Sequence, residues 1–120
     1  MMPKMILVVD DNSSVREIIA AMLACIFQKA EIFQAEDGIY GLEVLPLRNF
    51  DLVITDFEMP RINGLELTKK IRDQYPDMKI IFSSGFDDQE LAENALQAGA
   101  DIFLQKPISL DTLKEVIPRL

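Results

Sequence analysis

Histidine is absent from this chain of 120 residues, and its absence excludes a good deal. No Ser-His-Asp or Cys-His arrangement can form, no histidine-ligated zinc and no imidazole base. Any chemistry must run on Asp, Glu, Lys, Ser, Thr or Tyr. Cys25 is the one cysteine, so neither an internal disulfide nor a thiolate metal cluster is available. Its place in an apolar helical stretch predicts a small buried side chain. Basic residues are few: 12 Lys and Arg against 20 Asp and Glu leave a net charge of −8. That balance argues against a direct nucleic-acid surface and suits a cation or a basic partner. Long apolar runs are missing too, and no stretch approaches a membrane span. The N-terminal "MMPKMILVVDD" lacks the apolar core and cleavage site of a secretion signal, so the cytoplasm is the expected compartment. No linker, repeat or low-complexity tract interrupts the chain, and residues 1–120 are read as a single domain.

What is present is a regular alternation. Short apolar runs recur at Met5–Val9 (MILVV), Glu31–Ala35 (EIFQA), Asp51–Thr55 (DLVIT), Lys79–Ser83 (KIIFS) and Asp101–Leu104 (DIFL). The first, third and fourth are near-continuous Val, Ile, Leu and Phe, the pattern of strands covered on both faces of a parallel sheet. The second is mixed and is expected at an edge. Helical patterns fill the intervals. Ser14–Phe27 opens with Ser14 and Glu17, a capping-box spacing, and carries Ile18, Ile19, Met22, Leu23 and Ile26 at helical intervals. Gly38–Leu47 is weaker, with Pro46 near its end. Gly64–Tyr75 is stopped by Pro76, Asp87–Ala98 ends at Gly99, and Ser109–Ile117 has Ser109 as its cap. A (βα)5 alternation predicts an α/β, doubly wound parallel five-stranded sheet with helices on both faces.

Such sheets bind ligands beyond the carboxyl ends of their strands. The predicted strand ends carry Asp10–Asp11, Asp56, Ser83–Ser84–Gly85 and Gln105–Lys106–Pro107, while Glu36–Asp37 after the second reads as solvated loop. Each feature alone is ordinary turn or capping chemistry. Together they place three carboxylates, two hydroxyls and one lysine on a single rim. Carboxylates gathered there repel unless a cation joins them, and oxygen donors without His or thiolate suit Mg2+. With a lysine and a hydroxyl alongside, the set reads as a phosphoryl site in which one carboxylate serves as nucleophile.

These residues resemble the receiver domains of two-component response regulators, of the CheY-like type. "ILVVDD" is similar to the first strand and acidic pair of that family. "DLVITDFEMPRINGLEL" resembles its phosphoacceptor segment, "KIIFSSG" its fourth strand, and "AGADIFLQKP" its fifth strand and Lys-Pro. The pieces occur in order and cover nearly the whole chain. The resemblance implies the flavodoxin-like strand order 2-1-3-4-5. It implies Asp56 as phosphoacceptor, Asp11 as a direct Mg2+ ligand, Asp10 acting through a coordinated water, and the Glu58 backbone carbonyl as a further ligand beside Asp56. It also implies that Ser84, rather than Ser83, contacts the phosphoryl oxygens together with Lys106. A cis Lys106–Pro107 bond and a switching aromatic at Phe103, coupled to Ser84, follow from the same likeness.

Partners are implied as well: a histidine kinase or phosphotransfer protein as donor, since the chain has no histidine of its own. The face made by the fourth helix, fifth strand and fifth helix would meet an output domain or a second copy. Glu58 and Phe86 occupy positions that in this family overlook the phosphoryl group and tune its lifetime. Two other classes fit the sequence less well. An aspartyl phosphatase of the dehalogenase manner wants Asp-x-Asp after its first strand and a cap domain, where this chain has Asp-Asp and little room. A flavodoxin-like cofactor binder wants a Ser/Thr/Gly-rich loop after that strand, where this chain is acidic.

Overall fold

Met5–Val9 (β1), Leu52–Asp56 (β3) and Lys79–Ser84 (β4) are nearly unbroken apolar runs because they fill the middle of one parallel sheet. Glu31–Ala35 (β2) and Ile102–Gln105 (β5) are its edges, and the order is β2-β1-β3-β4-β5. The computed structural model describes every residue from Met1 to Leu120. Successive side chains of each strand enter opposite layers. Leu7, Val9, Val53, Ile80 and Phe82 pack against Leu67 and Ile71 of Gly64–Gln74 (α3) and Leu91 and Ala95 of Gln89–Ala98 (α4). Ile6, Val8, Leu52, Ile54 and Ile81 pack against Ile19 and Leu23 of Ser13–Ile26 (α1) and Leu113 of Leu110–Val116 (α5). A fully buried side chain of this kind stabilises the fold by roughly 2 kcal/mol, so these two layers hold the helices onto the sheet.

Local details depart from the expectation in several places. The first helix starts at Ser13, capped by Asn12, whose side chain accepts the Val15 amide at 3.1 Å. The Ser14–Glu17 box does not form, because the chain is already helical at Ser14. Cys25 is exposed, not buried. The buried stripe of α1 runs through Ile19, Ala20 and Leu23, and Cys25 falls on the far side of the helix from it. Ile18 also faces out, 58% exposed. The second helix, Gly38–Val44 (α2), gives way at Pro46 to a 3-10 turn, Leu45–Leu47, as a proline without an amide hydrogen favours. Strands β3 and β5 begin and end one residue later than their apolar runs, so Asp56 and Gln105 are the last residues of strands.

At the amino end of the sheet Arg72 closes the opposite rim. Its guanidinium donates to the carbonyls of Gly99, Pro76 and Met78 at 2.6, 2.7 and 2.6 Å, and to Asp101 at 3.2 Å. This fastens the end of α3 to the starts of β4 and β5.

Candidate functional site

Register brings the rim together. Val9 pairs with Thr55 and Asp56 with Ser83, so Asp10 and Asp56 lie side by side at the ends of the two central strands. Asp10, Asp11 and Asp56 have carboxylate oxygens within 4.8 Å of one another. Asp10 and Asp56 are buried and Asp11 is exposed. Lys106 reaches across from the end of β5: its Nζ lies 2.7 Å from Asp10 Oδ2 and 3.1 Å from Asp56 Oδ1. The Lys106–Pro107 peptide bond is cis, and the Lys106 amide donates to the Ser84 carbonyl at 2.8 Å.

The loops that carry these groups are held at several points. Asp10 Oδ1 accepts the Asn12 amide at 2.9 Å. Arg16 donates to the Asp10 carbonyl at 2.8 Å and to Gln34 of β2 at 3.1 Å. Beyond Asp56, the Gly64 amide donates to the Phe57 carbonyl at 2.8 Å and closes the loop from Phe57 to Asn63. Glu58, exposed in that loop, lines the same shallow depression as Asp11, Met59 and Asn63. The first turn of α3 is fixed by a reciprocal cap between Asn63 and Glu66.

The two serines differ in what their hydroxyls are doing. Ser83 is in register with Asp56, but its hydroxyl donates to the Thr55 carbonyl at 3.1 Å. Ser84 enters the other layer, and its oxygen accepts the Phe86 amide at 3.0 Å. No protein acceptor takes the Ser84 hydroxyl proton, which leaves one buried donor uncommitted at the rim. Phe103 is in register with Phe82, and the two rings stack with centroids 5.8 Å apart. Phe103 is half-buried and packs against the layer that holds α3 and α4.

Electrostatics follow from this crowding. Burial pushes the Asp56 carboxyl above its ordinary range, and neighbouring Asp10 adds to it, while Lys106 pulls the other way. For Lys106, burial works against the charged form. The hydrogen bond to Asp10 and the charges of Asp56 and Asp10 outweigh it, and its pKa is raised. The donor set consists of oxygens only, is negatively charged and opens to the surface at Asp11. It fits a hard divalent cation such as Mg2+, for which one or two carboxylates plus open positions are the usual arrangement.

Asp37, which reads in sequence as solvated loop, is buried and paired in the structure. It is 7% exposed, caps α2 by accepting the Tyr40 amide at 2.8 Å, and pairs with Arg61. The Tyr40 amide and the Arg61 guanidinium hold its carboxyl below the usual range. An Asp-Gly pair before a helical pattern signals a cap; nothing in the local pattern reveals Arg61, which is 24 residues away.

The family model for the response regulator receiver domain matches residues 6–118. The response regulator MprA of Mycobacterium sp. (strain KMS) is 36% identical over 112 residues, 93% of this chain and 48% of that protein. The chain thus spans about half the length of this relative. Among solved structures, the chemotaxis protein CheY4 of Vibrio cholerae superposes with a TM-score of 0.88 at 29% identity, covering 97% of both chains. The receiver domain of NtrX from Brucella abortus does so with a TM-score of 0.87 at 33% identity, covering 95% of each. The family model and the superposed structures span almost the whole chain, which belongs to the response regulator receiver domain family.

Proposed function

We propose that Asp56 is the phosphoacceptor of a two-component system, receiving a phosphoryl group from the phosphohistidine of a kinase or phosphotransfer protein. The observation that carries this reading is the convergence of Asp10, Asp11 and Asp56 around the Lys106 ammonium. In the transfer an Asp56 oxygen bonds to phosphorus as the P–N bond to the donor imidazole breaks. The electron pair leaves with the nitrogen, which is then protonated, and Asp56 becomes an acyl phosphate. Asp10, Asp11, Asp56 and the Glu58 carbonyl would hold Mg2+, which when bound supplies charge neutralisation at the phosphoryl oxygens. Lys106 supplies a second positive charge from the β5 side, already oriented by Asp10. Ser84 has an uncommitted hydroxyl to donate. Glu58 and Phe86, both exposed, would govern how readily water reaches the acyl phosphate.

The chain acts once per phosphoryl group received, so it is a signalling acceptor rather than an enzyme with external turnover. Its expected setting is the cytoplasm; no helix is long and apolar enough to cross a membrane. Incubation with acetyl phosphate or phosphoramidate and Mg2+ tests the reading. The expected result is one hydroxylamine-labile phosphoryl group per chain, dependent on the cation. Sustained release of phosphate at many turnovers with no protein-bound intermediate beyond trace would instead indicate a phosphatase.

The readout is proposed to run through Ser84 and Phe103. Donating to a phosphoryl oxygen draws Ser84 toward Asp56 and opens space beside α4, which a neighbouring ring can fill. The Phe103 ring lies against Phe82 and has no hydroxyl to desolvate on turning further inward. Phosphorylation shifts this population only by its preference for the inward state. The face formed by α4, β5 and α5 would then change shape for an output domain or a second copy. Ring NMR signals of Phe103 are expected to move toward one inward rotamer when a beryllofluoride phosphoryl mimic is added; identical rotamer populations with and without it would contradict the switch.

A further inference from the structure

We infer that Asp37 and Arg61 form a positioning pair that seats the Glu58-bearing loop on the turn between β2 and α2, and so sets the affinity of the carboxylate cluster for a divalent cation. The inference rests on the function proposed above. Its starting point is Arg61, the one residue other than glycine with positive φ, at 71°. Side chains with a Cβ rarely adopt this conformation, and a non-glycine residue held in it marks a place where surrounding contacts over-determine the backbone.

Two contacts do so here. The Arg61 guanidinium pairs with Asp37, whose carboxylate is 10% exposed and already fixed by the Tyr40 amide. The next residue, Ile62, fills the space left by the missing side chain of Gly38: a Cβ at Gly38 would lie 2.7 Å from Ile62 Cγ1. Asp37 and Gly38 therefore receive Arg61 and Ile62 as two adjacent anchor points. The loop is closed at its base by the Gly64 amide on the Phe57 carbonyl. Between that closure and the anchors lies Glu58, whose carbonyl is the proposed ligand. Releasing the anchors frees the carbonyl while leaving Asp10, Asp11 and Asp56 untouched.

The sign of the effect separates positioning from simple charge. Arg61 is a cation, so deleting it by electrostatics alone would tighten Mg2+ binding. Loss of positioning weakens it. The test is calorimetric or NMR titration of the 120-residue chain with Mg2+, for wild type, Arg61→Gly, Arg61→Lys, Asp37→Asn and the Arg61→Gly/Asp37→Asn double variant. Glycine tolerates positive φ, so Arg61→Gly removes the pair without backbone strain and keeps the experiment readable even where Asp37→Asn folds poorly.

Arg61→Gly is expected to raise the Mg2+ Kd by about tenfold, the scale typical of groups that orient metal ligands. Arg61→Lys should recover most of the affinity, and the double variant should bind no more weakly than the worse single one. Phosphorylation by a small phosphodonor should return to near the wild-type rate when Mg2+ is raised to saturation. An Arg61→Gly chain that binds Mg2+ as tightly as wild type, or more tightly, overturns the inference while wild-type phosphorylation on Asp56 still stands. A wild type that binds no Mg2+ and takes up no phosphoryl group overturns both.

Discussion

Asp56→Asn is expected to take up no phosphoryl group from a small phosphodonor and, in metal-free buffer at neutral pH, to melt a few degrees above the wild type. The first effect follows from chemistry: the amide keeps the shape of the carboxylate but lacks its nucleophilic charge. The second follows from the cost of ionising Asp56 where it sits. Burial, with Asp10 adding to it, raises its folded pKa above the value in the unfolded chain, despite the pull of Lys106. Below the ordinary carboxylate range the group is protonated in both states and brings no penalty. As pH rises through that range toward the raised folded value, the unfolded chain gives up its proton more readily, and the fold loses stability. Replacing Asp56 removes that loss, so the gain should be largest at neutral pH and vanish under acid. Adding Mg2+ should reverse the order, because the cation stabilises the wild type by mass action and binds the variant less well. Thermal melts at several pH values, with and without Mg2+, check both halves. A variant that melts below the wild type in metal-free buffer at pH 7 would contradict this view of the cluster.

Gly64→Ala is expected to cost about 3 kcal/mol or more, at the upper end for overpacking, and to lower the melting temperature by about 10 °C. Gly64 is the first residue of α3, pressed against the end of β3. An added Cβ would overlap the carbonyl oxygen of Asp56 and lie 2.9 Å from the Phe57 Cα and 3.0 Å from the Asp56 carbonyl carbon. All three are backbone atoms, so no rotamer change relieves the clash. Either α3 retreats from the sheet, exposing part of Leu67 and Ile71, or the segment carrying Asp56 shifts. Both outcomes damage the site as well as the fold, so the surviving native fraction should also phosphorylate slowly. Denaturant titration and melting give the stability. A midpoint within about one degree of wild type would show that the helix and strand have more freedom than this packing implies.

The parts of this protein that announce themselves in sequence are those whose meaning is local. Strands β1, β3 and β4 are apolar runs because both faces are covered; Asp10 and Asp56 stand at the ends of two of them, and Lys106 at the end of the edge strand β5, where an open parallel sheet places its ligands. Strand alternation places Ser83 and Ser84 in opposite layers, while the choice between them for the site comes from the family resemblance. Other features depend on packing that no short window contains. Cys25 lies in an apolar stretch, yet the helix turns it outward because Leu23 and Ile19 take the core. Asn12 caps α1 in place of Ser14, a choice settled by the turn after Asp10. Asp37 looks like a solvated loop residue until the chain from β3 folds back and brings Arg61 onto it. That pairing joins segments whose proximity exists only once the sheet has formed, and Arg61 pays no visible tribute to it in residue type, since an exposed arginine in a loop is ordinary.

The most direct measurement is the location of the phosphoryl group. The wild-type chain, treated with phosphoramidate and Mg2+, is reduced with borohydride, which converts an aspartyl phosphate to homoserine, and the digest is read by tandem mass spectrometry. Conversion at Asp56, and at no other acidic residue, is the predicted result. Conversion at Asp10 or Asp11 instead, or none at all in a chain shown to be folded and saturated with Mg2+, would contradict the assignment of Asp56 as the phosphoacceptor.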